Sequence, residues 1–494
     1  MTVADYDLVL RNGRVLDGSG TPAMEADVAI RGDRIEAVGD VPAGSGRHEI
    51  DVAGRTVAPG FIDVHTHDDR ALLATPDMTA KVSQGVTTVI VGNCGISLAP
   101  LVPGTDGGGE LVPPLDLIGE PGDYRYARFA DYLVTLDAAP PAVNAACLVG
   151  HATLRVGAMR DLGRPADGRE LALMKERLAE ALDAGAIGMS SGLYYAPAMP
   201  APREEMTALV SLLRPAGAIY TTHMRDEADG VMDSLEETFG TAADAGGVPV
   251  VVSHHKVVGK RNFGRTRETL PRIAAAITGQ AAGLDAYPYH ASSTVLRAEM
   301  IPVALKILIT WSKSHPEQTG RTLAEIAQAW GVSQEDAAAR LQPAGAIYWS
   351  MDEEDVRRVL AFEHTMIGSD GLPHDSHPHP RLWGSFPRVL GHYSREVGLF
   401  PLEEAVRRMT GLPAARFGLT GRGRIAVGAY ADITVFDPAT VIDRATFADP
   451  ATPAAGIDLV LVNGTPVWRD GAATDARPGH ALRRQVMQAE AAGL

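Results

Sequence analysis

Thiols are scarce in this chain. Its 494 residues include two cysteines, Cys94 and Cys147, which excludes a disulfide-stapled scaffold and points to a reducing compartment. Basic runs are missing as well. There are 61 acidic residues against 45 basic ones, for a formal net charge of −16, and that balance excludes nucleic acid or an anionic membrane as a natural partner. No stretch approaches the roughly 18 uninterrupted apolar residues of a membrane span. The opening "MTVADYDLVL" lacks a basic region followed by an apolar signal core. The expectation is a soluble protein from a reducing cytoplasm. With 45% hydrophobic residues over this length, about two or three domains are ordinary.

The two ends of the chain resemble each other. "DLVLRNGRVLDGSG" starts at Asp7 and "DLVLVNGTPVWRDG" at Asp458. Each reads as a strand, an Asn-Gly turn and a second strand. Such hairpins are marginal alone, so one small β-sandwich built from both termini is expected, residues 1–57 with 421–494. Between them, residues 58–420 alternate strand and helix. Eight candidate strands appear: "FIDVH", "VTTVIVG", "VNAACLVG", "AIGMSSG", "AIYTTH", "PVVVSHH", "GLDAYPY" and "TMIGSD". Most are near-continuous apolar runs, as in parallel strands buried on both faces. "GRELALMKERLAEALDAG" repeats Leu171, Met174, Leu178 and Leu182 at helical spacing and stops at Gly185. This pattern predicts an α/β fold, a (β/α)8 TIM barrel. A long interval before the last strand, about 292–360, predicts an insertion over the barrel mouth.

Chemistry collects at the ends of those strands. His65 and His67 close the first strand, two residues apart, so their rings face one side. Cys94 follows the second, His223 ends the fifth, His254 the sixth and Asp370 the eighth. Barrel enzymes work at the C-terminal ends of their strands. Thiolate, imidazole and carboxylate together are the ligand types of zinc, so these residues are expected to form a metal site. Three histidines are set apart from it. His374, His377 and His379 lie in the proline-rich "PHDSHPHP" and read as a loop, while His255 should point away from its neighbour His254. Cys147 reads as core.

The motifs go further. "APGFIDVHTH" after a β-rich start resembles the amidohydrolase superfamily. "MTAKVSQGVTTVIVGNCGISLAPL", "SSGLYYAPA", "THMRDE", "SHHK", "DAYPY" and "IGSDGLPHD" resemble its D-aminoacylase family, the N-acyl-D-amino-acid deacylases. Many amidohydrolases bridge two metals with a lysine on the fourth strand. "AIGMSSG" has none, and the D-aminoacylase pattern of a cysteine after the second strand matches Cys94. The resemblance implies zinc held tightly by Cys94, His223 and His254, and a second, weaker position at His65, His67 and Asp370. It makes Asp370 the general acid/base and places Lys256 and Tyr287 on the substrate carboxylate. Ser293 and Tyr348 fall near the carboxylate or acyl group. The family's carboxylate-binding arginine on the insertion is replaced by Met300, with Arg297 as a substitute if the segment is helical. The implied activity is zinc-dependent hydrolysis of N-acyl-D-amino acids. Two alternatives stay open: a hydrolase for a cyclic amide or another substrate without a free carboxylate, and a non-catalytic relative.

Overall fold

The computed structural model describes residues 5–105 and 109–484; the extreme ends of the two expected terminal segments, 1–4 and 485–494, lie outside the described residues. The chain begins with β1 (Tyr6–Val15), β2 (Met24–Arg31), β3 (Arg34–Gly39), β4 (Gly46–Asp51) and β5 (Thr56–Pro59). Next come β6 (Phe61–Asp63), β7 (Val86–Val91), β8 (Asn144–Gly150), β9 (Gly188–Gly192), β10 (Ile219–His223), β11 (Val250–Val252) and β12 (Ala282–Ala286). After β13 (Ala291–Val295), β14 (Lys306–Ser312) and β15 (Ala344–Trp349) comes β16 (Thr365–Ile367). The chain then returns through β17 (Ile433–Phe436), β18 (Ile457–Val462) and β19 (Thr465–Arg469).

Strands from both termini share one sheet, in which β5 pairs with β1 on one side and with β17 on the other. Its apolar side chains, among them Leu10, Val28, Val57, Ile433 and Leu461, form a separate small core. The C-terminal Asn-Gly is the expected turn: Asn463 has φ 48° between β18 and β19. The N-terminal one is not. Asn12 and Gly13 form a bulge inside the single strand β1, between Leu10 and Gly13. Asn12 still takes a left-handed φ of 61°, but its amide and side chain are held by Asp27 and Asp51. The same local preference for positive φ thus serves a bulge instead of a turn.

β6 to β12 and β16 form the parallel barrel, in sequence order, and match the eight apolar runs. Thr66 pairs with Gly371 to close the seam between the first and last strands. Ile62, Ile90, Leu148, Ile219, Val251 and Met366 pack in the interior. Their neighbours Val89, Val149, Val250, Val252 and Ile367 pack outward against the helices. That alternation is why the strands read as unbroken apolar runs. The helix Gly168–Ala184 has a capping box of Asp167 and Glu170 and ends at Gly185, φ 112°. A cap of this kind contributes about 0.5–2 kcal/mol. Met174, Leu178 and Leu182 are buried, as their spacing predicts.

β13, β14 and β15 form a three-stranded antiparallel sheet. With the helices Leu323–Trp330 and Gln334–Leu341 it encloses its own core around Leu323, Ile326 and Leu341. This is the insertion. It presents Ser293, Met300 and Tyr348 to a cleft at the barrel mouth.

Candidate metal centre

The six candidate ligands converge. His65 Nε2 lies 3.2 Å from Cys94 Sγ, and His254 Nε2 lies 3.3 Å from the same sulfur. His67 Nε2 is 3.1 Å from Asp370 Oδ1. Two overlapping groups result, His65–His67–Cys94–Asp370 and Cys94–His223–His254, whose donor atoms lie within 4.8 Å of one another. All six residues are buried.

The backbone is bent to achieve this. Seven non-glycine residues have positive φ among the described residues, and three are Cys94 (53°), His254 (36°) and Asp370 (51°). Each sits just past a strand, where left-handed geometry turns the side chain over the barrel mouth at a cost of about 1–3 kcal/mol. Glycines make room. A Cβ on Gly192 would lie 2.1 Å from the Cys94 carbonyl, and one on Gly368 would lie 2.5 Å from His65 Cβ. So β9 ends in glycine where Cys94 crosses it, and a glycine follows β16 where it meets His65.

Electrostatics favour a cation here. Burial raises the Cys94 thiol, but His65 and His254 outweigh it and hold the thiol well below its ordinary range, which favours the thiolate form that binds metals. Burial also works against charge on Asp370. Arg381 and His67 reverse it and keep the carboxyl well below the usual carboxylate range. Both nitrogens of buried His223 and Nδ1 of His67 have no hydrogen-bond partner among the described residues. Buried donors and acceptors left unmet are costly, and a metal ion answers that cost here. The donor set of sulfur, imidazole and carboxylate fits zinc.

Several supporting residues escape a reading of the sequence alone. Asp285, inside β12, lies 3.3 Å from His65 Nδ1 and accepts from the His254 amide at 2.8 Å. Glu227 lies 3.1 Å from His254 Nδ1 and 3.5 Å from His223 Nε2. Carboxylates behind metal-binding imidazoles fix the ring and its tautomer. Arg381 is fully buried, 2.8 Å from Asp370 Oδ2. "THMRDE" and "DAYPY" carry the first two, but only the fold reveals their aim.

The expected substrate residues line the same cleft. Lys256 Nζ donates to Glu227 Oε1 at 2.7 Å and lies 2.8 Å from His254 Nδ1, so it is paired as well as positioned. Tyr287 has a buried hydroxyl with no partner among the described residues. The Lys256 ammonium lies 5.9 Å and the Arg381 guanidinium 4.5 Å from its ring centroid. Ser293 faces the cleft with a long bond to the Ala346 carbonyl, 3.4 Å. The Tyr348 hydroxyl accepts from the Arg297 amide and donates to the Val295 carbonyl, leaving its ring to face the cleft. Met300 lines the cleft but Arg297 does not. The Arg297 guanidinium lies 4.2 Å from the Tyr194 ring centroid, and Nη1 donates to the Tyr194 carbonyl. Arg297 precedes a single 3-10 turn, Ala298–Met300, so no α-helical face carries it to the Met300 position. The α-helical segment on which a substitution by Arg297 depended is not formed, and Arg297 packs on Tyr194 instead.

Residues set aside stay aside. His255 Nε2 lies 2.8 Å from Thr269 Oγ1. His377 Nε2 lies 2.8 Å from the Phe447 carbonyl, and Cys147 is buried core.

The chain matches a family model described as the amidohydrolase family over residues 48–269 and 315–468. It is 56% identical to a D-aminoacylase of Alcaligenes xylosoxydans xylosoxydans over 479 residues, 97% of this chain and 98% of that protein. The chain belongs to the amidohydrolase family, in its D-aminoacylase branch. An N-acyl-D-aspartate deacylase of the same organism is 50% identical, with 97% of this chain and 95% of that protein covered. A D-aminoacylase crystal structure superposes with TM-score 0.94 at 56% identity, covering 97% of this chain and 100% of the other. The N-acyl-D-glutamate deacylase of Bordetella bronchiseptica, solved with zinc and a phosphonate inhibitor, superposes with TM-score 0.93 at 46% identity over 97% and 100%. Among the described residues no helix is long and apolar enough to cross a membrane.

Proposed function

We propose that this chain is a zinc-dependent deacylase, which hydrolyses the amide bond of N-acyl-D-amino acids to a carboxylate and the free D-amino acid. The carrying observation is the convergence of a thiol, four imidazoles and a carboxylate at the barrel mouth. It occurs in a chain whose full-length relatives include a D-aminoacylase and an N-acyl-D-aspartate deacylase. Cys94, His223 and His254 would hold the tighter zinc, and His65, His67 and Asp370 a second, weaker one. Zinc, when bound, supplies Lewis acidity, which acidifies water toward a pKa of about 7 and polarises a carbonyl.

The chain's own groups do the rest. Asp370 turns Oδ2 to Arg381 and Oδ1 to His67 and His65. Held ionised, it can take the proton of the attacking water. It then returns that proton to the departing nitrogen, which cannot leave as an anion. Lys256 and Tyr287 supply donors for the substrate carboxylate. The Tyr287 hydroxyl lines the cleft, buried and unmet, and an incoming carboxylate satisfies it with a charge-assisted bond. Arg381 stands behind Asp370 and holds its Oδ2. Ser293 and Tyr348 would bound the acyl side, and Met300, Val303 and Leu117 form apolar wall in the same cleft. Both cysteines are free, which supports the cytoplasm as its compartment.

The D-configuration rests on the relatives, so the test is a panel. N-acetyl-D-methionine, its L-enantiomer and a hydantoin are assayed side by side with zinc supplied. Turnover of the D-substrate alone is expected; preference for the L-substrate or the hydantoin overturns the reading.

A further inference from the structure

Three cations are fully buried among the largest side chains: Arg155, Arg381 and Lys81. Arg155 is satisfied by Glu205 and by the carbonyls of Pro197 and Arg164. Arg381 is taken up by Asp370. Lys81 lines no cleft and stands on a single helical turn, Thr79–Val82. Its Nζ donates to Asp63 Oδ2 and to Ser369 Oγ, each at 2.9 Å, and lies 3.2 Å from Asp68 Oδ2. Two hydrogen bonds and one ion pair thus surround the ammonium. A fully buried lysine is rare unless it is paired in this way.

The partners sit at a seam. Asp63 and Asp68 bracket His65 and His67, and Ser369 precedes Asp370. Asp63 Oδ1 also accepts from the Ser369 amide at 2.7 Å and from the His65 amide at 3.4 Å. The Asp370 amide donates to the His65 carbonyl at 2.8 Å. Lys81 therefore reaches both edges of the β6–β16 seam, one residue from His67 and one from Asp370. Cys94, His223 and His254 come from other strands, and Glu227 braces two of them.

We propose that Lys81 is a positioning residue for the second metal position. By clamping Asp63, Asp68 and Ser369 it sets His65 and His67 against Asp370, while His223 and His254 keep a brace of their own in Glu227. Without its ammonium, two buried carboxylates face each other unpaired and the seam spreads. This rests on the metal reading above.

The test compares the full chain with Lys81→Met and Ser369→Ala. The second change removes the Ser369 hydroxyl, which takes the Lys81 donor and accepts from the Gly371 amide, and leaves the Asp63–Lys81–Asp68 pairing in place. Zinc binding is titrated against a chelator, and cobalt is loaded so that the thiolate-to-cobalt absorption band reports on Cys94. kcat and KM are measured with one equivalent of metal. Weaker binding of the second equivalent by about 10–100-fold is expected for Lys81→Met, with a smaller effect for Ser369→Ala. The first equivalent and the thiolate band stay unchanged, and kcat falls while KM stays within about twofold. Equal weakening of both equivalents overturns the proposal, as does a second equivalent bound as in the parent. If Lys81→Met does not fold, Ser369→Ala decides by the same criteria. A parent that takes up no zinc removes the metal reading and the proposal together. A parent with two equivalents and unaffected variants removes the role of Lys81 alone.

Discussion

Asp370 joins the centre to a buried cation, with one oxygen on the imidazoles and the other on Arg381. Replacing it by asparagine keeps the volume and removes the proton carrier. A fall in kcat of about 10²–10⁴ is expected, with zinc retained at Cys94, His223 and His254. Near-normal turnover with metal bound contradicts its role. Lys256 is expected to act on binding. A charge-assisted bond contributes about 1.5–3 kcal/mol, so Lys256→Met should raise KM by roughly 10–100-fold and lower kcat less. An unchanged KM in steady-state kinetics counts against contact with the substrate carboxylate. His65, His67, Cys94, His223, His254 and Asp370 were legible in the sequence because each ends an apolar run. Arg381, Glu227, Asp285 and Lys81 were not. Some of their partners are far away in sequence, as with Lys81 and Ser369, 288 positions apart, and no local pattern encodes such an approach.

Elements were legible where periodicity and capping agree, as in the helix Gly168–Ala184 and the hairpin at Asn463. β1 was misread because an Asn-Gly pair reports a left-handed residue and not which structure uses it. The insertion was visible as an interval too long for a βα connection, but its three-stranded sheet was not. Where this sheet meets the barrel, Asp375 is buried and Asp116 half-buried. Burial pushes Asp375 up to about 7, against Thr310 and Arg381, and Asp116 up to about 6. A carboxyl raised in the folded state adds stability that is full below its unfolded value. That stability is lost as pH rises through the folded value. For Asp375 the window runs from about 4 to about 7. Thermal melts across this range should therefore show the parent losing stability relative to Asp375→Asn as pH rises. A constant difference between the two contradicts the burial of a protonated Asp375.

The whole molecule joins a barrel that holds the chemistry, a sheet built from both ends of the chain and an insertion that walls the cleft. The parallel barrel follows from the order of apolar runs. The joining of the ends follows from their resemblance. The fit of the insertion to the cleft depends on tertiary packing and is invisible in sequence. An ion held at the barrel mouth would add to the stability of the barrel, because a ligand bound only by the folded state adds about 2.7 kcal/mol at a hundredfold excess over its Kd. The decisive measurement is the metal content and N-acetyl-D-methionine deacylation of the purified chain, before chelation, after it and after zinc is restored. Zinc bound at one to two equivalents, activity abolished by the chelator and recovered with zinc is the predicted result. A chain that binds no zinc, or that turns over the substrate equally well without it, contradicts the account.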